Sequence, residues 1–93
     1  MYLHPSQRVT VEDLLYGLLL VSGNDAADAL ARYTAGSIED FAALMNEKAQ
    51  NLGMTNSSFS NPHGLDAEDH YSTARDMAVL MDYCMSNEDF VRI

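Results

Sequence analysis

The segment LLLVSGNDAADAL, residues 18–30, decides the organisation of this 93-residue chain. An apolar run ends at Val21, a single glycine lies between a serine and an asparagine, and an alanine-rich segment follows. Two helices that meet at a sharp corner explain this order, because helical spacing continues on both sides of a residue that breaks helices. The corner, Ser22-Gly23-Asn24, is either a simple connection or a site of chemistry.

Helical patterns flank this corner. Thr10 can cap a first helix from about Val11 to about Val21, because its hydroxyl accepts a hydrogen bond from a free backbone N–H. The apolar residues of this helix extend around it, so we expect it to need burial on more than one side. A second helix is predicted after the corner, and Gly36 ends it. Its small and apolar positions are Ala26, Ala27, Leu30 and Ala31.

Two further helices and a short fifth one are predicted beyond Gly36. The third helix runs from the capping residue Ser37 to Gly53, and Thr73 caps the fourth. The apolar stripe of the third helix is Ile38, Phe41, Ala42, Met45, Ala49 and Leu52. The predicted core face of the fourth helix is Met77, Leu80, Met81, Cys84 and Met85. A turn around residues 88–91 adds the fifth, so we expect an all-α fold: one compact cluster of four to five helices over residues 1–93.

Composition excludes several classes of function. Fourteen acidic against five basic side chains give a net charge of -9, which repels phosphate backbones, so nucleic acid is not an expected partner. The single cysteine, Cys84, cannot form an internal disulfide. The longest apolar run, residues 18–21, is far shorter than the ~20 residues that span a bilayer. No basic-then-apolar pattern follows Met1, so we expect no signal or anchor within these residues.

A polar segment at residues 54–72 separates the third and fourth helices, and we call it the polar loop. Loops of this length tend to be functional. His63 lies between a proline and a glycine, where an imidazole can serve a site or simply pack against the loop. The spacing of His63, Asp66 and His70 matches no common set of metal ligands. We therefore expect neither a metal site nor a cofactor.

The corner supports two interpretations. In a turning or extended backbone, residues two apart point to the same side, so the Ser22 hydroxyl and the Asn24 carboxamide can project together. Such a pair is suited to orienting an amide and relaying a proton. The alternative is that Asn24 caps the second helix and Ser22 ends the first. From the three residues alone, the capping interpretation is favoured.

The order of the motifs along the chain adds a resemblance. TVEDLLYGLLLVSGNDAADALA, then FAALMNEKAQNLGMTNSSFSNPHGLD, then HYSTARDMAVL resembles the helical region of serine D-alanyl-D-alanine carboxypeptidases, the low-molecular-mass penicillin-binding proteins. The likeness extends from about Val9 to about Val91. It implies the helical subdomain of a penicillin-binding and beta-lactamase-like transpeptidase fold, with the mixed sheet absent from this chain.

The same resemblance implies roles for individual residues. Ser22-Gly23-Asn24 matches the Ser-x-Asn motif of such enzymes. Ser22 would take part in proton transfer around the acylated serine, and Asn24 would hold the amide of the substrate peptide. His63 would be a secondary substrate-binding residue. The implied partners are beta-lactams and peptidoglycan stem peptides that end in D-Ala-D-Ala, and the implied location is outside the cytoplasmic membrane.

Two motifs of the resembled enzymes are missing. Lys48 is the only lysine and residue 45 is Met45, so the chain contains neither Ser-x-x-Lys nor Lys-Thr-Gly. Acylation then has no nucleophile here. We expect the chain to be the middle segment of a longer carboxypeptidase, inactive alone and self-associating through the apolar surface that the missing sheet leaves exposed.

Two other classes of function stay open. The chain could be an independent acidic, all-helical interaction module that binds a basic partner. It could also be part of a serine beta-lactamase, a related class in which the position of Gly23 is commonly aspartate.

Overall fold

Five helices make up the computed structural model, which describes residues 1–93. They are α1 (Val11–Val21), α2 (Asn24–Ala35), α3 (Ile38–Leu52), α4 (Ala74–Cys84) and α5 (Glu88–Arg92). The only β pairing is an isolated antiparallel bridge between Ser58 and Tyr71 inside the polar loop. The all-α prediction is confirmed, and the short fifth helix is present.

Side chains cap the N-termini of four of these helices. Each capping oxygen accepts a hydrogen bond from the backbone N–H three residues later, at 3.0 to 3.1 Å. The caps are Thr10, Ser37, Thr73 and Asn87. Only α2 begins without a side-chain cap. The exception lies at the corner singled out by the sequence.

Glycines end α2 and α3 as predicted. Gly36 has φ 91° and Gly53 has φ 82°, both in the left-handed region that glycine adopts without a steric penalty. The polar loop also turns at a glycine, since Gly64 has φ 90°.

The core is small and lies around α2, which packs against both α1 and α3. Ala26 and Ala31 of α2 have no exposed surface, and Ala42 and Ala49 of α3 are buried as well. Small side chains let helix backbones approach closely. Ala27 of α2, Leu14 of α1 and Met54, at the start of the polar loop, complete the buried apolar set.

The prediction for α4 is wrong in one respect. Met77, Met81 and Met85 were expected in the core, but they are 44%, 52% and 55% exposed. The buried residue of α4 is instead Asp76. Although α4 packs against α3, the face that carries the methionines remains largely exposed.

The C-terminal half of α1 is exposed in a similar way. Leu19, Leu20 and Val21 are 43%, 64% and 66% exposed, although all three are strongly apolar. α2 covers only part of the surface of α1, so the apolar residues at the end of this helix remain exposed. The apolar stretches remain short, and no helix has the length and hydropathy that crossing a membrane would require.

We predict that Ala26→Leu lowers the free energy of unfolding by about 1–3 kcal/mol, because added methyl groups have no space between α1 and α2. Ala43→Leu is the matched control, since Ala43 lies on the exposed side of α3. Urea unfolding followed by circular dichroism measures both variants. Equal stability of the two variants would contradict the close packing around α2.

Candidate functional site

The corner between α1 and α2 has an unusual backbone. Ser22 has φ 54° and ψ 44°, and it is the only non-glycine residue with a positive φ. Gly23 is extended, with φ -71° and ψ 109°, and Asn24 is the first residue of α2. The Gly23 N–H donates a 3.0 Å hydrogen bond to the carbonyl oxygen of Gly17, which closes the end of α1.

The two polar side chains of the corner are free. Ser22 and Asn24 are exposed, and neither side chain makes a hydrogen bond within the chain, whereas Gly23 is buried between them. The interpretation of Asn24 as a cap is wrong, because Gly23 occupies the N-cap position and Asn24 already lies inside the helix. The hydroxyl and the carboxamide are therefore available to another molecule.

Close backbone contacts favour glycine at the centre of the corner. A Cβ on Gly23 would lie 3.0 Å from the Gly17 carbonyl oxygen and 3.2 Å from Oδ1 of Asp25. The carbonyl belongs to the helix backbone and cannot move without disturbing α1. A side chain at position 23 would therefore require the Gly17 carbonyl and the Asp25 carboxylate to shift by a few tenths of an ångström.

The carboxylate of Asp25 lies next to this pair in the chain. Partial desolvation acts to raise its pKa, but hydrogen bonds donated by the backbone N–H groups of Leu3 (3.0 Å) and Ala26 (2.9 Å) prevail, so the pKa of Asp25 lies below its ordinary value. Asp25 is thus negatively charged at neutral pH, and its hydrogen bonds tie the N-terminal segment to the start of α2.

Two side chains that the sequence reasoning missed anchor the polar loop. The amide of Asn46 in α3 makes two hydrogen bonds to the backbone of Phe59, donating to its carbonyl at 2.8 Å and accepting from its N–H at 2.7 Å. Asp76 in α4 accepts from the N–H of Asn56 and the hydroxyl of Ser57. The available signal was that Asn46, a polar residue, lies four residues after Ala42 and three before Ala49, next to the predicted apolar stripe of α3.

At the tip of the polar loop, His63 is directed toward α2. Asn61 forms the turn by accepting hydrogen bonds from the N–H groups of His63 and Gly64. The side chain of His63 is 17% exposed, and its Nε2 lies 3.9 Å from Oδ1 of Asp28. Asp28 lies four residues after Asn24 on α2, a rise of about 6 Å and on the same side of the helix.

His70 and Asp66, the other two residues considered as metal ligands, make no hydrogen bond or ion pair with His63. His70 accepts a 3.0 Å hydrogen bond from the backbone N–H of Ser60, and Asp66 is exposed. The structure contains no group of three or more His, Cys, Asp or Glu side chains that could hold a metal ion. Ser22 and Asn24 lie at the corner, and His63 lies beside Asp28, one turn of α2 beyond Asn24.

A comparison with models of protein families shows the family to which this chain belongs. Residues 1–91 match the family model described as D-alanyl-D-alanine carboxypeptidase. The chain belongs to this family. The resemblance drawn from the order of the motifs is thereby confirmed.

Individual carboxypeptidases match at substantial identity. DacC of Escherichia coli is 55% identical over 80 residues, which are 86% of this chain and 20% of that protein. DacF of Bacillus subtilis is 43% identical over 91 residues, which are 98% of this chain and 23% of that protein. The chain thus spans about a fifth to a quarter of the length of these two relatives.

Solved structures confirm the fold class. Penicillin binding protein 6B from Escherichia coli matches with a TM-score of 0.93 at 42% identity, covering 97% of this chain and 29% of that structure. The D-alanyl-D-alanine carboxypeptidase from Mycobacterium tuberculosis matches with a TM-score of 0.88 at 41% identity, covering 96% and 34%. The five helices are therefore the helical part of the penicillin-binding carboxypeptidase fold.

We predict that Ser22→Gly raises the melting temperature of the chain by a few degrees. Glycine removes the strain of the left-handed backbone, which stabilises the folded state by about 1–2 kcal/mol. Its greater conformational freedom in the unfolded state costs only about 0.4–1 kcal/mol, so the net effect is stabilising. Ser22→Ala is the control, because alanine keeps the strain and removes only the hydroxyl. Thermal unfolding at low protein concentration compares the two. A Ser22→Gly variant no more stable than Ser22→Ala would contradict a strained corner.

Proposed function

We propose that this chain forms the helical wall of the active site in a serine D-Ala-D-Ala carboxypeptidase. Such an enzyme trims peptidoglycan stem peptides through an acyl-enzyme and is acylated by beta-lactams. Family membership supports the reaction class. The observation that carries the assignment to the corner is the left-handed backbone of Ser22.

Strain at this position argues for a chemical role. The ends of α2 and α3 use glycine where the backbone is left-handed, but α1 ends on a serine. A serine in this conformation costs about 1–2 kcal/mol relative to glycine. Its hydroxyl neither caps a helix nor bonds within the chain, so it offers no local compensation. Strain of this kind clusters at active sites, where the side chain must project in a set direction.

Asn24 is proposed to hold the peptide. Its carboxamide combines a donor and an acceptor, which is the complement of a substrate amide that also presents one of each. The side chain is exposed at the first residue of α2, so a peptide in the cleft can reach it. Position on a helix rather than a flexible loop favours a defined orientation.

Ser22 is proposed to move a proton. When the acyl-enzyme forms, the C–N bond of the scissile amide breaks and the departing D-alanine amine requires a proton. A hydroxyl can donate its proton to the amine while it accepts another from a neighbouring group, so its own charge does not change. His63 is proposed as a secondary residue of the same cleft, because the polar loop holds it one turn of α2 beyond Asn24.

The remaining parts of the proposed site come from outside these residues. The 93 residues contain no Ser-x-x-Lys and no Lys-Thr-Gly, so we propose that the chain acts as part of a longer enzyme and is inactive alone. Peptidoglycan stem peptides lie outside the cytoplasmic membrane, and we propose that the enzyme works there.

We predict that Ser22→Ala lowers the rate of acylation by penicillin by about 10²–10⁴-fold in the full-length enzyme, as expected for loss of proton transfer. Asn24→Ala is predicted to lower it by about ten- to a hundredfold through loss of hydrogen bonds to the ligand. Formation of a covalent adduct with labelled penicillin is the measurement.

Asn51→Ala is the matched control for Asn24→Ala, because Asn51 is an exposed asparagine of α3. Its acylation rate should equal that of the unmodified enzyme. Absence of any adduct in the unmodified enzyme would refute the proposed function. Normal acylation of the Ser22→Ala variant would refute the role of the corner.

We also propose that the 93-residue chain self-associates. Leu20 and Val21 are more than three-fifths exposed, and the α4 methionines add further apolar surface. Exposed apolar groups of this size favour association. Leu20→Lys is predicted to reduce the association, whereas Tyr33→Lys, a change at a 77% exposed residue of α2, should not. Light scattering measures the mass, and a monodisperse monomer would contradict the proposal.

A further inference from the structure

A deeply buried carboxylate lies outside the corner, in the first turn of α4. Asp76 is 1% exposed, although α4 buries none of its apolar side chains to that extent. Removing a carboxylate from water is costly unless hydrogen bonds compensate. The groups that Asp76 binds should therefore explain its position.

Asp76 holds the beginning of the polar loop. Its Oδ2 accepts a 2.9 Å hydrogen bond from the N–H of Asn56 and a 2.8 Å hydrogen bond from the hydroxyl of Ser57. The Ser57 oxygen lies 2.6 Å from that of Ser72, at the other end of the loop. Because Ser57 donates its proton to Asp76, the hydroxyl of Ser72 donates to Ser57. Asp76 thus fixes the direction of a hydrogen-bond chain that joins both ends of the loop.

The adjoining residues continue this connection. Ser58 and Tyr71 exchange two backbone hydrogen bonds, at 2.8 and 2.9 Å, directly beyond the Ser57–Ser72 contact. The intervening part of the loop carries His63. The position of His63 beside Asp28 therefore depends both on how the two ends of the loop are joined and on the hydrogen bonds between Asn46 and Phe59.

Only one carboxylate oxygen of Asp76, Oδ2, accepts these hydrogen bonds from the polar loop. Oδ1 is buried and has no hydrogen-bond partner. An asparagine can place its single carbonyl oxygen where Oδ2 now lies, whereas alanine leaves the Asn56 N–H and the Ser57 hydroxyl without their acceptor. The two substitutions consequently separate the hydrogen-bond acceptor from the negative charge.

We propose that Asp76 is a positioning residue for the carboxypeptidase reaction: it fixes the polar loop so that His63 lines the substrate cleft beside α2. The inference rests on the proposed function, because His63 is assigned to the cleft there. Asp76 itself is too deeply buried to contact substrate and acts through the loop.

The first test compares three variants of the full-length enzyme acting on a peptide that ends in D-Ala-D-Ala. Asp76→Ala should raise KM about tenfold, as expected for a loosened binding group, and change kcat less than about twofold. Asp76→Asn should restore KM to within about threefold of the unmodified enzyme. Thr73→Ala, which removes the cap of the same helix turn, should lower the melting temperature but leave KM unchanged.

A double-mutant cycle tests whether Asp76 acts through His63. If it does, His63→Ala combined with Asp76→Ala should have the same KM as His63→Ala alone, because the second change removes nothing further. Independent effects, in which the fold-changes multiply, would overturn the proposal. A rise in KM for Thr73→Ala equal to that for Asp76→Ala would overturn it as well.

Hydrogen exchange provides a test that needs no activity. In the full-length enzyme, amides of residues 56–66 should exchange faster in Asp76→Ala than in Thr73→Ala, and Asp76→Asn should restore their protection. Equal exchange in Asp76→Ala and the unmodified enzyme would overturn the positioning role. Failure of the unmodified enzyme to form a penicillin adduct would instead refute the proposed function, so the two failures are distinguishable.

Discussion

The rest of the structure depends on one close backbone contact at the corner of α1 and α2. The N–H of Gly23 reaches the carbonyl of Gly17 at 3.0 Å, and this is possible because Ser22 is left-handed and Gly23 has no side chain. The contact ends α1 and sets the direction in which α2 leaves. It also leaves the hydroxyl of Ser22 and the carboxamide of Asn24 exposed and free of internal hydrogen bonds.

A second part of the candidate site depends on polar contacts rather than on the apolar core. Asn46 and Asp76 bind backbone and hydroxyl groups of the polar loop, and the tip of the loop places His63 near Asp28. Three helices therefore contribute to one region: α2 carries Asn24, while α3 and α4 hold the loop that approaches it. The apolar core, formed mainly by small residues around α2, keeps these helices close together.

Sequence reasoning succeeded where the cause is local. The caps at Thr10, Ser37 and Thr73 and the terminating glycines at 36 and 53 were predicted, because each depends on hydrogen bonds or backbone angles within a few residues. It failed for α4. The spacing of the methionines is that of a buried face, but spacing cannot reveal whether another element covers that face, and here most of it is exposed.

The sequence by itself determined the five helices, their approximate ends and, through the order of its motifs, the family. The three residues of the corner left open that Gly23 rather than Asn24 caps α2 and that Ser22 has a left-handed backbone. Only the tertiary structure decided that an aspartate is the buried residue of α4 and that His63 lies beside α2. The physical reason is the separation along the chain of the residues that interact. Helix formation and termination depend on neighbours in the chain, whereas the burial of Asp76 and the approach of His63 to α2 depend on residues brought together from 19 to 35 positions away.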